Sequence, residues 1–340
     1  MARNVTEAPV RLEWARRLAA APRTLPLRRY GLQIGTVAMA LALWVIYAVR
    51  APQTWVSNDT IYSSLMSTVP LTAMMALGLT LVVIAREIDL SFPSIMAVSA
   101  LVFVETPGDP FFGLVTGVAA GLAVGLLTGL IVVRLGIPSL VATIGVLFFW
   151  RGIVLVATGG NGSGLVEERA SWIGKILVGR LAGDRIPAQM LWMLGFAVVL
   201  WLLLNRHRFG AHVYLVGDNV ESAKMMGVNA DRVRITVFTI LGGLAGFAGV
   251  LAGLEVSYFW PTGGEGQLLP TIVAVFVGGT SVFGGTGTIF GTSMGSFITG
   301  SLEPGIVSIG LTGLYTQVIW GAMIVLALVM QAVVKGRMSR

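Results

Sequence analysis

The sequence predicts an all-α, polytopic membrane protein of about ten transmembrane helices, with both termini on the cytoplasmic side. Three observations lead there. Hydrophobic residues make up 55% of the 340 residues and charged residues only 11%, against about 25% charged in a soluble domain. Too few polar side chains therefore exist to cover a water-facing surface. The apolar residues gather in ten runs that approach the ~20 residues a ~30 Å hydrocarbon core demands at ~1.5 Å per helical residue. Basic residues concentrate on alternate connections, as the positive-inside rule requires. A soluble enzyme, a secreted module and a disordered chain are excluded. The absence of cysteine removes disulfides, a thiolate metal site and a cysteine nucleophile. Two histidines, His207 and His212, leave little scope for histidine-rich metal chemistry, and no metal site is expected. The net charge of +7 reads as an inside-positive bias rather than a nucleic-acid surface.

Taken in order, a basic cytoplasmic segment covers 1–30. Within it, 10–21 suits either an amphipathic helix on the inner membrane surface or a disordered basic tail. The long basic stretch and the ~20-residue apolar run behind it do not fit a cleavable signal. The transmembrane domain follows over 31–334, with spans at 31–50, 62–85, 91–105, 111–133, 137–158, 187–204, 235–256, 268–282, 286–302 and 311–334, and a cytoplasmic tail at 335–340. The third, eighth and ninth spans are short, so they are expected to be tilted, broken or partly buried in protein, because lipid does not tolerate irregular backbone. If all ten cross, Arg86, Arg134, Arg206, Arg208, Lys224, Arg232 and Arg234 face inside with the two basic ends. The loop 159–186 then lies outside, and Arg151 sits within a span. Glu255, Glu265 and Glu303 fall at or near outer span ends, as hydrated interface charges or as contacts for a solute or partner.

Helices in lipid gain little from burying leucine and approach closely only through small residues. Gly113, Gly117, Gly121, Gly125 and Gly129 recur every four residues along the fourth span, and so form one stripe for helix packing, static or sliding.

Two regions break the apolar pattern. The first is Arg86-Glu87-Ile88-Asp89-Leu90-Ser91-Phe92-Pro93-Ser94. Asp89 and Ser91 are N-cap residues and Pro93 suits a first helical turn, so a helix restarts here. Its exposed amide end either faces a transported solute, as half-helices in membranes do, or closes a tight interfacial turn whose charges touch water. The second is the inside loop 205–234. There Asp218 or Asn219 can cap a short helix, Glu221 stands in its first turn and Gly227 stops it. Met225 and Met226 then project to one side, as a docking surface or as part of an ordinary solvated helix; methionine adapts to a partner whose surface shifts. A third, glycine-rich segment, 277–288, lacks the strand–turn–helix context of a dinucleotide fingerprint. No GxxxxGK[ST] phosphate loop is present in the sequence, so ATP is not held by one, and no Ser/His/Asp set can be assembled.

Three segments carry a resemblance. Ala76-Leu77-Gly78-Leu79-Thr80-Leu81-Val82-Val83-Ile84 followed by Ile88-Asp89-Leu90-Ser91, then Gly217-Asp218-Asn219 with Ala223 and Gly227-Val228-Asn229, then Gly278-Gly279-Thr280-Ser281 with Gly284-Gly285, Gly287 and Gly291-Thr292, stand in the order and spacing of a permease family. The chain resembles the membrane subunits of binding-protein-dependent ABC sugar importers of the ribose type, a group that also serves other pentoses, hexoses and autoinducer-2 and is related to the branched-chain amino-acid permeases. It departs where the family has two glycines before Ile-Asp-Leu-Ser and Val-Gly after it; here Arg86-Glu87 and Phe92-Pro93 stand there. The resemblance implies a type II importer-like permease in the bacterial inner membrane that pairs with a second permease, identical or homologous. Two ATPase subunits would use ATP and Mg, this chain binding no cofactor, and a periplasmic or lipid-anchored solute-binding protein would deliver a pentose, hexose or polyol. It implies that Gly217, Asp218, Asn219, Glu221, Ala223, Lys224, Met225, Met226 and Gly227 form the coupling helix, and that Asp89, Ser91, Phe92, Thr280 and Ser281 lie by the translocation pathway. The other readings are an ABC permease for a branched-chain amino acid or nucleoside, and an ion-coupled secondary transporter. The latter would want paired acids in mid-span, whereas nearly every acid here falls at a span end or in a loop.

Overall fold

The structure is a computed structural model. It describes the backbone of residues 26–338 and the side chains of residues 33–333; the segment 1–25, with the expected helix at 10–21, and the last two residues of the tail lie outside the described residues. The helices are α1 (Pro26–Arg50), α2 (Pro52–Trp55), α3 (Thr60–Ile84), α4 (Phe92–Glu105), α5 (Pro110–Arg134), α6 (Ser139–Thr158), α7 (Val166–Ala170), α8 (Trp172–Val178), α9 (Ala188–Asn205), α10 (Arg208–Asp218), α11 (Val220–Met225), α12 (Ala230–Val256), α13 (Leu268–Val277), α14 (Ile289–Ser308) and α15 (Tyr315–Met338). Two small antiparallel ladders join β1 (Ser163–Gly164) to β4 (Tyr258–Phe259) and β2 (Arg180–Leu181) to β3 (Ile186–Pro187). Each of the ten expected spans has a helical counterpart. Seven described helices are long and apolar enough to cross a membrane; α4 and α13 are shorter, and α14 is diluted by glycine, serine and threonine. The apolar run expected over 268–282 stops being helical at Val277, because Gly279 takes φ +87° and turns the chain.

A helix that is apolar all round must be buried, and α3 obeys: from Val69 to Ile84 every residue is buried. Around it pack α12, α14, α13 and α9, while α12 also packs against α5 and α4. The glycines of α5 make that last contact possible. A Cβ at Gly125 would stand 2.5 Å from the Phe238 carbonyl oxygen, and one at Gly121 2.5 Å from that of Gly242. Here α5 and α12 touch backbone to backbone. The rim helices α1, α5, α6, α9 and α15 expose large apolar side chains such as Leu41, Leu126, Phe148, Val198 and Val325.

The bundle has two ends. The lower end gathers the close of α3, the starts of α6 and α12, α10, α11 and the loop 278–288: Ile88 N–H donates to Ser139 Oγ (3.1 Å) and Gly285 N–H to the Ile84 carbonyl (2.9 Å). The upper end gathers the start of α3, α7, α8 and the close of α12: Arg180 Nη1 donates to Ser63 Oγ (2.7 Å), and Arg169 to the Leu254 carbonyl (3.1 Å). Thr72 lies twelve residues above the lower end of α3, about 18 Å at helical rise, and its hydroxyl meets Gln267 Oε1 at 2.6 Å. Gln267 immediately precedes α13, so α13 begins near mid-depth. So does α4, since a Cβ on Gly264 would stand 2.6 Å from the Pro93 carbonyl oxygen.

Candidate functional site

At the lower end the chain between α9 and α12 forms two helices, where the sequence pattern suggested one. His207 Nδ1 accepts from Phe209 N–H (3.1 Å) and opens α10. Asn219 Oδ1 then accepts from Ser222 N–H (2.9 Å) and opens α11, so of the two expected cap residues Asn219 serves and Asp218 ends α10. Gly227, at φ +80°, closes α11: its N–H reaches the Lys224 carbonyl (2.9 Å), and Val228 N–H the Ala223 carbonyl (3.0 Å), a Schellman arrangement. Ala223 is buried. Glu221 and Lys224 pair at 3.3 Å on the surface, while Met225 and Met226 are 82% and 59% exposed. Gly217 is not on the exposed face of this element. It is buried at the end of α10, where a Cβ would overlap the Ile84 carbonyl oxygen. The sequence does not disclose this boundary, because 208–218 is amphipathic rather than uniformly apolar, with a glycine near each end.

The three motif segments meet here. Gly285 N–H bonds the Ile84 carbonyl, a Cβ on Gly285 would stand 3.2 Å from Asp218 Cα, and Tyr214 of α10 donates its hydroxyl to the Gly287 carbonyl at 2.9 Å. Burial raises the Tyr214 pKa above its ordinary value, which keeps that hydroxyl a donor. Gln331 of α15 clasps the same loop, accepting from Val282 N–H (3.0 Å) and donating to the Thr280 carbonyl (3.0 Å). Thr280 is buried and Ser281 half-buried in this clasp.

From this junction the chain climbs to the mid-depth break. Asp89 Oδ1 accepts from both the N–H and the hydroxyl of Ser91, each at 2.6 Å, and Asp89 Oδ2 has no partner among the described residues. Asp89, Ser91 and Phe92 have no exposed surface, nor has Thr280. They are packed inside this chain in the present conformation and none lines an open cavity. The α4 start is held by a residue that the sequence marked only as a charge within a span. Arg151 of α6, 6% exposed, donates to the carbonyls of Pro93 (3.2 Å), Pro261 and Gly263 (2.9 Å), and stands 3.6 Å from Glu265. One guanidinium thus ties α4 to the segment that dips in to start α13. Glu87, buried just below, pairs with Arg234 of α12.

Residues 61–328 match the family model described as branched-chain amino acid transport system / permease component. The chain belongs to this permease family. It is a transport subunit, not an enzyme. The permease is 31% identical to the ribose import permease protein RbsC of Escherichia coli K12 over 84% of this chain and 89% of the relative. It is 33% identical to RbsC of Bacillus subtilis 168 over 78% and 83%, and 32% identical to the autoinducer 2 import system permease protein LsrC of Yersinia pseudotuberculosis YPIII over 79% and 76%. No solved structure matches the chain.

Proposed function

We propose that this permease is the membrane subunit of an ATP-driven importer for a sugar or sugar-like solute: a pentose, hexose or polyol. It crosses the bacterial inner membrane ten times with both ends inside and pairs with a second permease. Two ATPase subunits drive it, and a solute-binding protein delivers the solute at the upper end. The lower end is the cytoplasmic one, as its cluster of Arg134, Arg206, Arg208, Arg232 and Arg234 favours. ATP and Mg belong to the partner, and this chain binds no cofactor. The named functions of the relatives, ribose and autoinducer 2 import, support the solute class.

The observation that carries the mechanism is the mounting of α11. Its exposed tip, Met225 and Met226, offers an adaptable apolar surface to a partner, and its root is seated through Gly217 on the last carbonyl of α3 and on the 278–288 loop. Movement of the ATPase pair against α11 is passed to α3 and to the loop between α13 and α14, and from there to the mid-depth break. Access switches from one side to the other without bond chemistry in this chain.

The test is reconstitution of the permease with its ATPase and binding protein in proteoliposomes. Met225→Asp with Met226→Asp places two charges on exposed positions, so folding and membrane insertion are retained. Stimulated ATP hydrolysis and uptake are expected to fall at least tenfold. Coupled uptake at the wild-type rate would overturn the assignment.

A further inference from the structure

At the upper end α3 opens with five serine and threonine residues: Thr60, Ser63, Ser64, Ser67 and Thr68. At 3.6 residues per turn they fall on one arc of about 140°, with Ile61, Leu65 and Val69 on the other side. Thr60, Ser64 and Thr68, four residues apart, are exposed. The rim helices expose large apolar side chains, but among the described residues α3 exposes none. An exposed hydroxyl arc beside such helices is built for water or for a polar ligand, not for hydrocarbon.

The arc forms one wall of a cleft of ≈ 670 Å³. Arg180 and Glu255 stand across from it. Arg180 Nη1 donates to Ser63 Oγ (2.7 Å), and Arg180 Nη2 lies 3.8 Å from Glu255, whose other carboxylate oxygen accepts from Gln189 Nε2 (2.7 Å) and is 4.0 Å from Arg169. Glu255 is therefore a held group with a side chain only 16% exposed, not a freely hydrated interface charge. Ser67 and Thr68 donate to carbonyls of their own helix, Ser63 (3.2 Å) and Ser64 (3.1 Å), which leaves their oxygens free to accept. One turn further down, Thr72 joins Gln267 where α13 begins.

We propose that this cleft receives a neutral polyhydroxylated solute at the upper end and passes it down α3 toward the mid-depth break. Serine and threonine oxygens accept from the solute's hydroxyls. The guanidinium and carboxylate held side by side can bracket a vicinal diol, one donating and one accepting. The lining as a whole sets Arg180 and Arg185 against Asp59, Asp184 and Glu255, so both signs are present and an anionic solute is disfavoured. The proposal rests on the importer reading for its direction of transport, but its binding claim does not.

Two measurements test it. The chain has no cysteine, so Ser64→Cys gives one reporter thiol per copy of this chain, read in the assembled complex from the label on this subunit's own band. Its labelling by a water-soluble thiosulfonate is expected to slow at least threefold in millimolar ribose or a linear C4–C6 polyol and not in leucine. Equal labelling in all of them overturns the cleft as a binding site, whether or not the transporter is ATP-driven. In proteoliposomes, Ser64→Phe and Thr68→Phe are expected to cut uptake at least tenfold while binding-protein-stimulated ATP hydrolysis persists. Leu122→Phe, an exposed apolar position on α5, serves as the control. Wild-type uptake in both cleft variants, or their loss of the permease pair in cross-linking (a copy–copy interface), also overturns it. Failure of the importer reading looks different: polyol protection of Ser64→Cys survives, and uptake shows no dependence on ATP.

Discussion

Arg86 holds a left-handed backbone, φ +65°, at the close of α3; its N–H bonds the Val83 carbonyl (3.0 Å) and the next N–H that of Val82 (3.1 Å). That is the position where helices favour glycine, since a Cβ there is strained by ~1–2 kcal/mol. The arginine side chain is exposed, so Arg86→Gly is expected to raise stability by about 1 kcal/mol, seen as a higher melting midpoint in detergent; an unchanged or lower midpoint would show that the side chain contributes more than its backbone strain removes. Arg151 is the opposite case. Its guanidinium supplies a donor to three backbone carbonyls inside the protein, those of Pro93, Pro261 and Gly263, and a buried carbonyl that loses its donor costs ~1–3 kcal/mol. Arg151→Met should cost about 3 kcal/mol or more by the same measure, and Arg151→Lys should restore part of it. Equal stability of Arg151→Met and wild type would remove its role as a tie. The two residues also mark what the sequence discloses. Asn219 and Gly227 announce themselves through cap and stop chemistry acting over three or four residues. Arg151 gives no such sign, because its partners are backbone groups 58 to 112 residues away.

At the scale of elements, the α5–α12 contact is the most extensive in the bundle. A branched side chain at Gly125 has no volume to occupy, since its first carbon already lies 2.5 Å from the Phe238 oxygen. Gly125→Leu is expected to destabilise the protein by about 3 kcal/mol or more, whereas Gly145→Ala on α6, with nothing within 4 Å of its Cβ, should leave the melting midpoint unchanged or raised. Similar midpoints for both would mean that the helices do not hold each other where they touch. The spans were readable because lipid imposes a length and a composition together. Glycine spacing marked α5 as a packing face, but its partner α12 could not be identified from spacing alone. Lengths misled at α13, where two glycines end the helix inside an apolar run, and at α10, whose polar face hid a helix within a loop.

Across the whole molecule α3 is the common member: its start lines the upper cleft, its middle meets the head of α13, and its last carbonyl receives the 278–288 loop. Charge distribution and ordered motifs made the membrane class and the family legible in the sequence, because both are properties of composition and order along the chain. The convergence of the three motifs on one junction was not, since it depends on which helix ends fold back beside one another. The absence of a side chain at Gly217 then has a mechanical meaning. With carbonyl set against α-carbon, the mounting of α11 has no slack to absorb a push. On the proposed coupling role, a displacement at the methionine tip would arrive at α3 with little loss, and a motor with a short stroke would suffice to work a helix that runs the full height of the bundle.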